Sequence, residues 1–339
     1  MVLFKIVPMK RKRILVAVMV VLAVVANKTY AQIDPHFSQY YANPLWLNPA
    51  LTGVTDGAYR ANVNAKQQWS NINDGYLTVG ASFDAAPIKN FAFGGMIINQ
   101  RAGSVSFNQL NALASASYRI RFGQAGDQII NFGLQAGIIN KSIDISKITL
   151  GSQYNPTMGY DGGMLFDDNI SGQNFTAPDI NTGVMFFDAA DYKKINVFAG
   201  LTVAHLNRPK DKFVGGDAKV PMRFTAHGGA KVKVNNVFDI TPNALFLKQG
   251  NAQEVAVGAY AQMMLNAETD LLFGSNYRVD DAAIAFLGFH IKSMVFGLSY
   301  DFNTSGLNRA TGSRGGLELS VSFSARKGII GPNFFCPRL

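Results

Sequence analysis

A single cysteine, Cys336, in 339 residues excludes a disulfide framework within one chain and leaves no lipobox for acylation at the N-terminus. Charged residues make up only 16% of the chain, and tryptophan occurs twice. After residue 31 no apolar run approaches the ~20 residues that a membrane-spanning helix needs. The four histidines, His36, His205, His227 and His290, show no metal-ligand spacing. Gly-x-Ser-x-Gly and Walker patterns are missing. An acidic, glycine-rich stretch, Tyr160 to Gly163 with Asp167, Asp168 and Asn169, lacks the EF-hand order and its closing glutamate. No nucleophile and base can be placed together, so the expectation is no enzyme, no metal and no cofactor.

What is present begins with a leader. Lys5, Lys10, Arg11, Lys12 and Arg13 form a basic region ahead of the apolar run Ile14 to Ala26. Thr29-Tyr30-Ala31 then offers small residues at −3 and −1 of a cleavage site, which reads as a secretory signal peptide over 1–31. The alternative is a retained anchor, for which the run is short against a bilayer core of roughly 30 Å. Six of the 31 basic residues lie in this leader, leaving 25 against 22 acidic ones. The basic pI therefore belongs to the precursor, and no nucleic-acid partner is implied.

From Ala58 to Ala325 a two-residue rhythm recurs. Tyr59, Ala61, Val63, Ala65 and Trp69 alternate with Arg60, Asn62, Asn64, Lys66, Gln68 and Ser70. Strand side chains point to opposite faces in turn, so one face is apolar and the other polar. The pattern predicts an all-β chain of about fourteen strands, near 58–70, 75–84, 90–101, 107–122, 127–144, 180–188, 195–206, 221–234, 237–248, 253–264, 267–279, 282–291, 293–303 and 314–325. A soluble β-sandwich could alternate similarly. Loop lengths separate the two readings. The longest connections, near 145–179, 207–220 and 304–313, all follow odd-numbered strands, while the even-numbered ones are mostly short. Outer-membrane barrels have short periplasmic turns and longer extracellular loops, so a closed antiparallel transmembrane barrel is expected, with both termini periplasmic. A lumen of fourteen strands lies between side-chain-filled eight-stranded barrels and open sixteen-stranded ones, so it should be narrow or plugged.

The non-strand segment 32–57 is the natural plug, with an ordinary flexible leader as the alternative. In Asn43-Pro44 and Asn48-Pro49 each proline disfavours helix at the residue before it and removes a backbone donor. Trp69 and Tyr59 suit an interfacial aromatic girdle. Arg314-Gly315-Gly316 permits close backbone approach at the start of the last strand. Glu318 should then face the lumen, where Arg60 or Lys66 of the first strand could pair with it across the closing seam. The tail 326–339 ends in Asn333-Phe334-Phe335-Cys336-Pro337-Arg338-Leu339, in which Cys336 could pair with a partner or stay buried.

The run Asp34-Pro35-His36-Phe37-Ser38-Gln39-Tyr40-Tyr41-Ala42-Asn43-Pro44-Leu45-Trp46-Leu47-Asn48-Pro49-Ala50-Leu51-Thr52-Gly53 closely resembles the mature start of the PorP/SprF family. Lys66-Gln67-Gln68-Trp69, Ser299 to Ser305, Arg314 to Ser320 and Cys336-Pro337-Arg338 are similar to further family stretches. Lys66 stands where the family carries arginine, which keeps the charge but loses the planar fork. The resemblance implies a non-enzymatic outer-membrane component of the type IX secretion and gliding machinery of Bacteroidota. Its implied partners are outer-membrane lipid, secreted adhesin-like cargo with a type B C-terminal domain, and a periplasmic ring lipoprotein or peptidoglycan-binding protein. On that reading the plug or partner contacts are Gln39, Tyr40, Asn43, Pro44, Trp46, Asn48, Pro49, Cys336 and Pro337, and the lumen or seam residues are Arg60, Lys66, Arg314 and Glu318. The rival reading is an outer-membrane porin or substrate channel, which requires an open lumen.

Overall fold

The computed structural model describes residues 34–55, 57–71, 75–103, 107–123, 126–144, 154–155, 159–160, 174–211, 218–306 and 308–325. The leader, the tail 326–339 with Cys336 and Pro337, and most of the expected long connection lie outside the described residues.

In β1 (Tyr59–Gln68) the alternation becomes geometry. Arg60, Asn62, Asn64, Lys66 and Gln68 are buried, while Tyr59, Val63 and Gln67 are exposed. The chain continues through β2 (Tyr76–Ala85), β3 (Phe91–Ala102), β4 (Phe107–Phe122) and β5 (Gln128–Ser142). A two-residue hairpin, β6 (Tyr154–Asn155) with β7 (Gly159–Tyr160), stands apart in the next connection. Then follow β8 (Asn174–Asp188), β9 (Ile195–Ala204), β10 (Arg223–Lys233), β11 (Phe238–Gln249), β12 (Ala252–Asn266), β13 (Thr269–Arg278), β14 (Ala282–Ile291), β15 (Met294–Asn303) and β16 (Arg314–Ala325). Fourteen of these close into one antiparallel barrel, each pairing with its sequence neighbour in the wall and β16 returning to β1 with Tyr59 opposite Ala325. Closure leaves no strand edge to be satisfied by lipid.

The exposure profile is the inverse of a soluble protein's. Lys66, Asp84 and Glu318 are 0–1% exposed, whereas Val63, Phe83 and Leu319 are 51–53% exposed. Polar groups line the interior and an apolar band faces outward, the arrangement of a membrane barrel and the reverse of a sandwich. Aromatic side chains gather near the strand ends. Tyr59 lies 5.9 Å from Phe83 and 6.0 Å from Phe323, and Trp69 meets Tyr76 edge-on at 5.7 Å at the opposite end.

The even-numbered connections, 86–90, 123–127, 189–194, 234–237, 267–268 and 292–293, are all short and define one end. The long connections, 143–173, 205–222 and 304–313, gather at the other. One strand begins earlier than expected: β8 starts at Asn174, although Pro178 argues against a strand interior. Residues 174–188 pair with β5, but β9 pairs only with Thr182 to Phe187, so Pro178 sits where one flank has no ladder to feed.

Candidate functional site: the occupied lumen

Residues 34–55 thread the barrel from one end to the other. Asp34 contacts His205, just past β9, and Arg223, the first residue of β10, both at the long-connection end. At the other end of the segment, Thr55 reaches Ser324 near the end of β16, at the short-turn end. Asp34 is held at the far mouth by ion pairs and Ala325 lies at the near one.

The prolines fold this segment locally. A single helical turn, Pro44–Leu47, and a tighter one, Pro49–Leu51, both begin on proline, where the missing N–H costs nothing. Asn48 caps the second by accepting from Ala50 N at 2.9 Å. Such short turns leave most carbonyls unpaired within the segment, and the lumen wall supplies the donors. Gln135 Nε2 donates to Leu45 O, Arg223 to Trp46 O, Thr202 Oγ1 to Leu47 O and Asn131 Nδ2 to Ala50 O, at 2.9–3.3 Å. Arg60, Ser117 and Arg119 donate to the carbonyls of Leu51, Thr52 and Gly53 at 2.8–3.0 Å. The polar lumen is thus built to hold a backbone.

Apolar packing fills the space between these bonds. Phe37, Leu45, Trp46, Leu47, Ala50 and Leu51 are buried against Met96, Ile98, Leu113, Met185, Phe198 and Leu245 of the wall. The main apolar core of the described residues thus lies inside the lumen, between segment and wall. The Arg223 guanidinium lies 4.9 Å over the Trp46 ring, with Phe37 edge-on to the same ring at 5.7 Å. Close approach demands glycine in the wall. A Cβ on Gly133 would fall 2.2 Å from Ala50 N, and one on Gly183 would fall 2.1 Å from Asn48 Oδ1.

Two ionic clusters fix the segment near the long-connection end. Asp34 Oδ2 lies 2.7 Å from His205 Nε2 and 3.0 Å from an Arg223 amine, and His205 Nδ1 meets Asp179 at 2.8 Å. Burial pushes the Asp34 carboxyl up, but His205 and Arg223 outweigh it and hold the group well below the usual carboxylate range. Burial likewise pushes the His205 imidazole down, yet Asp34 and Asp179 together bring it to about 9. In the second cluster Ser38 N and Gln39 N donate to Glu318 at 2.6 and 3.3 Å, and Ser38 Oγ donates to Asp301 at 2.6 Å. Asp301 also pairs with Arg278 at 3.0 Å and with Lys66 at 3.3 Å.

The structure places Gln39, Tyr40, Asn43, Pro44, Trp46, Asn48 and Pro49 together, all buried in the lumen. Gln39 bonds Ser299 and Ser320, Tyr40 OH donates to Asn243 at 2.5 Å, and Asn48 Nδ2 donates to Val184 O at 3.0 Å. Arg60, Lys66 and Glu318 face the same space, whereas Arg314 is exposed at the start of β16. The expected seam pairing is corrected. Lys66 stands opposite Glu318 in register, but its ammonium pairs with Asp301. Segment N–H groups and Asn64 occupy the Glu318 carboxylate instead. Arg60 turns to Asp84, making two 3.0 Å bonds, and Asp84 also accepts from Gly53 N. Sequence reasoning missed Asp34, Asp84, Asp179, His205, Arg223, Arg278 and Asp301. Alternation alone puts the strand residues among these on the polar face; nothing local marks which partner each finds.

These features define a class: an outer-membrane β-barrel whose lumen is occupied by its own N-terminal segment. The chain belongs to the family described as type IX secretion system membrane protein PorP/SprF, whose profile matches residues 29–323. No curated protein matches it. Among solved structures it is similar to the toluene transporter TbuX of Ralstonia pickettii, at 10% identity over 85% of this chain and 94% of that one, with TM-score 0.50. It is also similar to the monoaromatic hydrocarbon channel CymD, at 13% identity over 87% and 95%, with TM-score 0.49. At such identities the likeness concerns the barrel fold alone.

Proposed function

We propose that this protein is a non-enzymatic outer-membrane scaffold of the type IX secretion system that supports secretion or surface anchoring of cargo with a type B C-terminal domain. The observation that carries the reading is that residues 34–55 traverse the lumen from one mouth to the other. A channel needs a continuous water path, whereas here the wall's donors hold a packed segment. Family membership supplies the secretion context. On this reading the long connections present an outer surface to cargo, and the short-turn end faces periplasmic partners, a ring lipoprotein or a peptidoglycan-binding protein. Gln39, Trp46 and Asn48 act as internal anchors of the plug, while Cys336 and Pro337 belong to a tail at the periplasmic end. Deleting the gene is expected to leave a cognate adhesin-like cargo unsecreted or unanchored, scored by surface immunolabelling. Normal cargo display in the deletion strain contradicts the proposal.

A further inference from the structure

The plug does not fill the lumen evenly. Its helical turns bear on β4, β5 and β8, and on the opposite flank a cavity of about 70 Å³ lies in the short-turn half of the barrel. Tyr41, Tyr260, Leu272, Phe286 and Val295 give it an apolar lining, and His290 stands toward the short-turn end. Tyr41 is 5.6 Å from both Tyr260 and Phe286, so three aromatic rings form one wall. At roughly 10–15 Å³ per water-sized group the space suits about one phenyl ring.

We propose that the chain's own C-terminal segment, residues 326–339, folds back at the short-turn end and seats one ring of the Phe334-Phe335 pair in this cavity. Three arguments select this occupant. Ser320 and Ser322 of β16 line the cavity, and the strand ends at Ala325 only three residues beyond Ser322, so the segment starts at the cavity's own side. Its fourteen residues reach roughly 46 Å when extended, more than the roughly 33 Å length of a ten-residue strand. Gly328, Gly331 and Pro332 supply the turn residues that a reversal needs, and Ile329, Ile330, Phe334 and Phe335 supply apolar groups that gain by leaving water. The cavity offers aromatic contact from Tyr41, Tyr260 and Phe286 and aliphatic contact from Leu272 and Val295.

The single native cysteine makes the test direct, because Cys336 adjoins the aromatic pair. In the full-length barrel, Val295→Cys is placed in the cavity and Lys193→Cys on the short-turn rim within 189–194, as separate variants. Mild oxidation is expected to join Cys336 to the cysteine at 295 much faster than to the one at 193, read as a mass shift of the digested protein. Equal rates at the two positions, or no bond at 295, overturn the proposal. A second measurement does not depend on disulfide geometry. With Cys336→Ser present, Val295→Cys is labelled by a water-soluble maleimide with and without residues 326–339, the folded barrel being verified by heat-modifiable mobility. A segment seated about nine-tenths of the time slows labelling about ten-fold relative to the truncated protein. Equal labelling in both proteins means that another occupant, or solvent, takes the cavity, and contradicts the assignment.

Discussion

Asp34 is enclosed, carries a charge, and meets two cations that come from wall positions far away in sequence. Removing Asp34 takes the carboxylate away from Arg223 and leaves His205 with Asp179 alone. Asp34→Ala should therefore destabilise plug docking by about 3–5 kcal/mol, measured as a fall in the denaturation midpoint of the Trp46 emission in a Trp69→Phe background. The same residues set a pH window. The Asp34 carboxyl is depressed in the folded state, so its contribution is present above the ordinary value of 3.8 and is lost as pH falls below it. The His205 imidazole is raised, so its contribution is complete below the ordinary value of 6.5 and is lost as pH rises through about 9. Trp46 emission should be steady between 3.8 and 6.5 and should shift to the red as the medium passes pH 9. The alkaline shift should disappear with His205→Phe. At this scale the sequence is only partly readable. Asn43-Pro44 and Asn48-Pro49 announce turns through proline's own chemistry. His205, in contrast, looks like a lone histidine until the fold brings Asp34 and Asp179 to its two nitrogens.

Strands were the most readable elements, because a period of two is a local property and β1 and β16 keep it without interruption. Pairing across the seam follows that period: Val63 lies opposite Val321 on one side and Ala81 on the other, all on the lipid face. Val63→Arg near the middle of β1 should cost about 2–4 kcal/mol, measured by denaturant titration of the barrel folded into lipid vesicles. A cost near zero would mean that this face is not in hydrocarbon. Prolines mark the limit of pattern reading. Pro178 hid the first turns of β8 because its tolerance depends on an unpaired flank that only the register reveals. Pro242 in β11 is accommodated in a comparable way, since the β10 ladder skips from Asn243 to Ile240 around it.

For the whole molecule, two facts fix the architecture: the barrel closes, and its exposure profile is inverted. Loop parity foretold the closure, since a sandwich gives no reason for long connections to gather at one end. The direction in which the N-terminal segment runs was not legible, because it depends on which lumen charges meet Asp34, and charge type alone does not order them. The same ambiguity misassigned the seam, where Lys66 had two carboxylates in reach and segment N–H groups claimed Glu318. The rhythm of the strands describes the wall, but the contents of the lumen decide between scaffold and channel. Planar-bilayer recording of the purified full-length barrel tests this most directly. The plugged lumen predicts no steady conductance from the intact protein and a steady open level once residues 34–55 are deleted from barrels shown to be folded. A steady open pore from the intact protein would contradict the account.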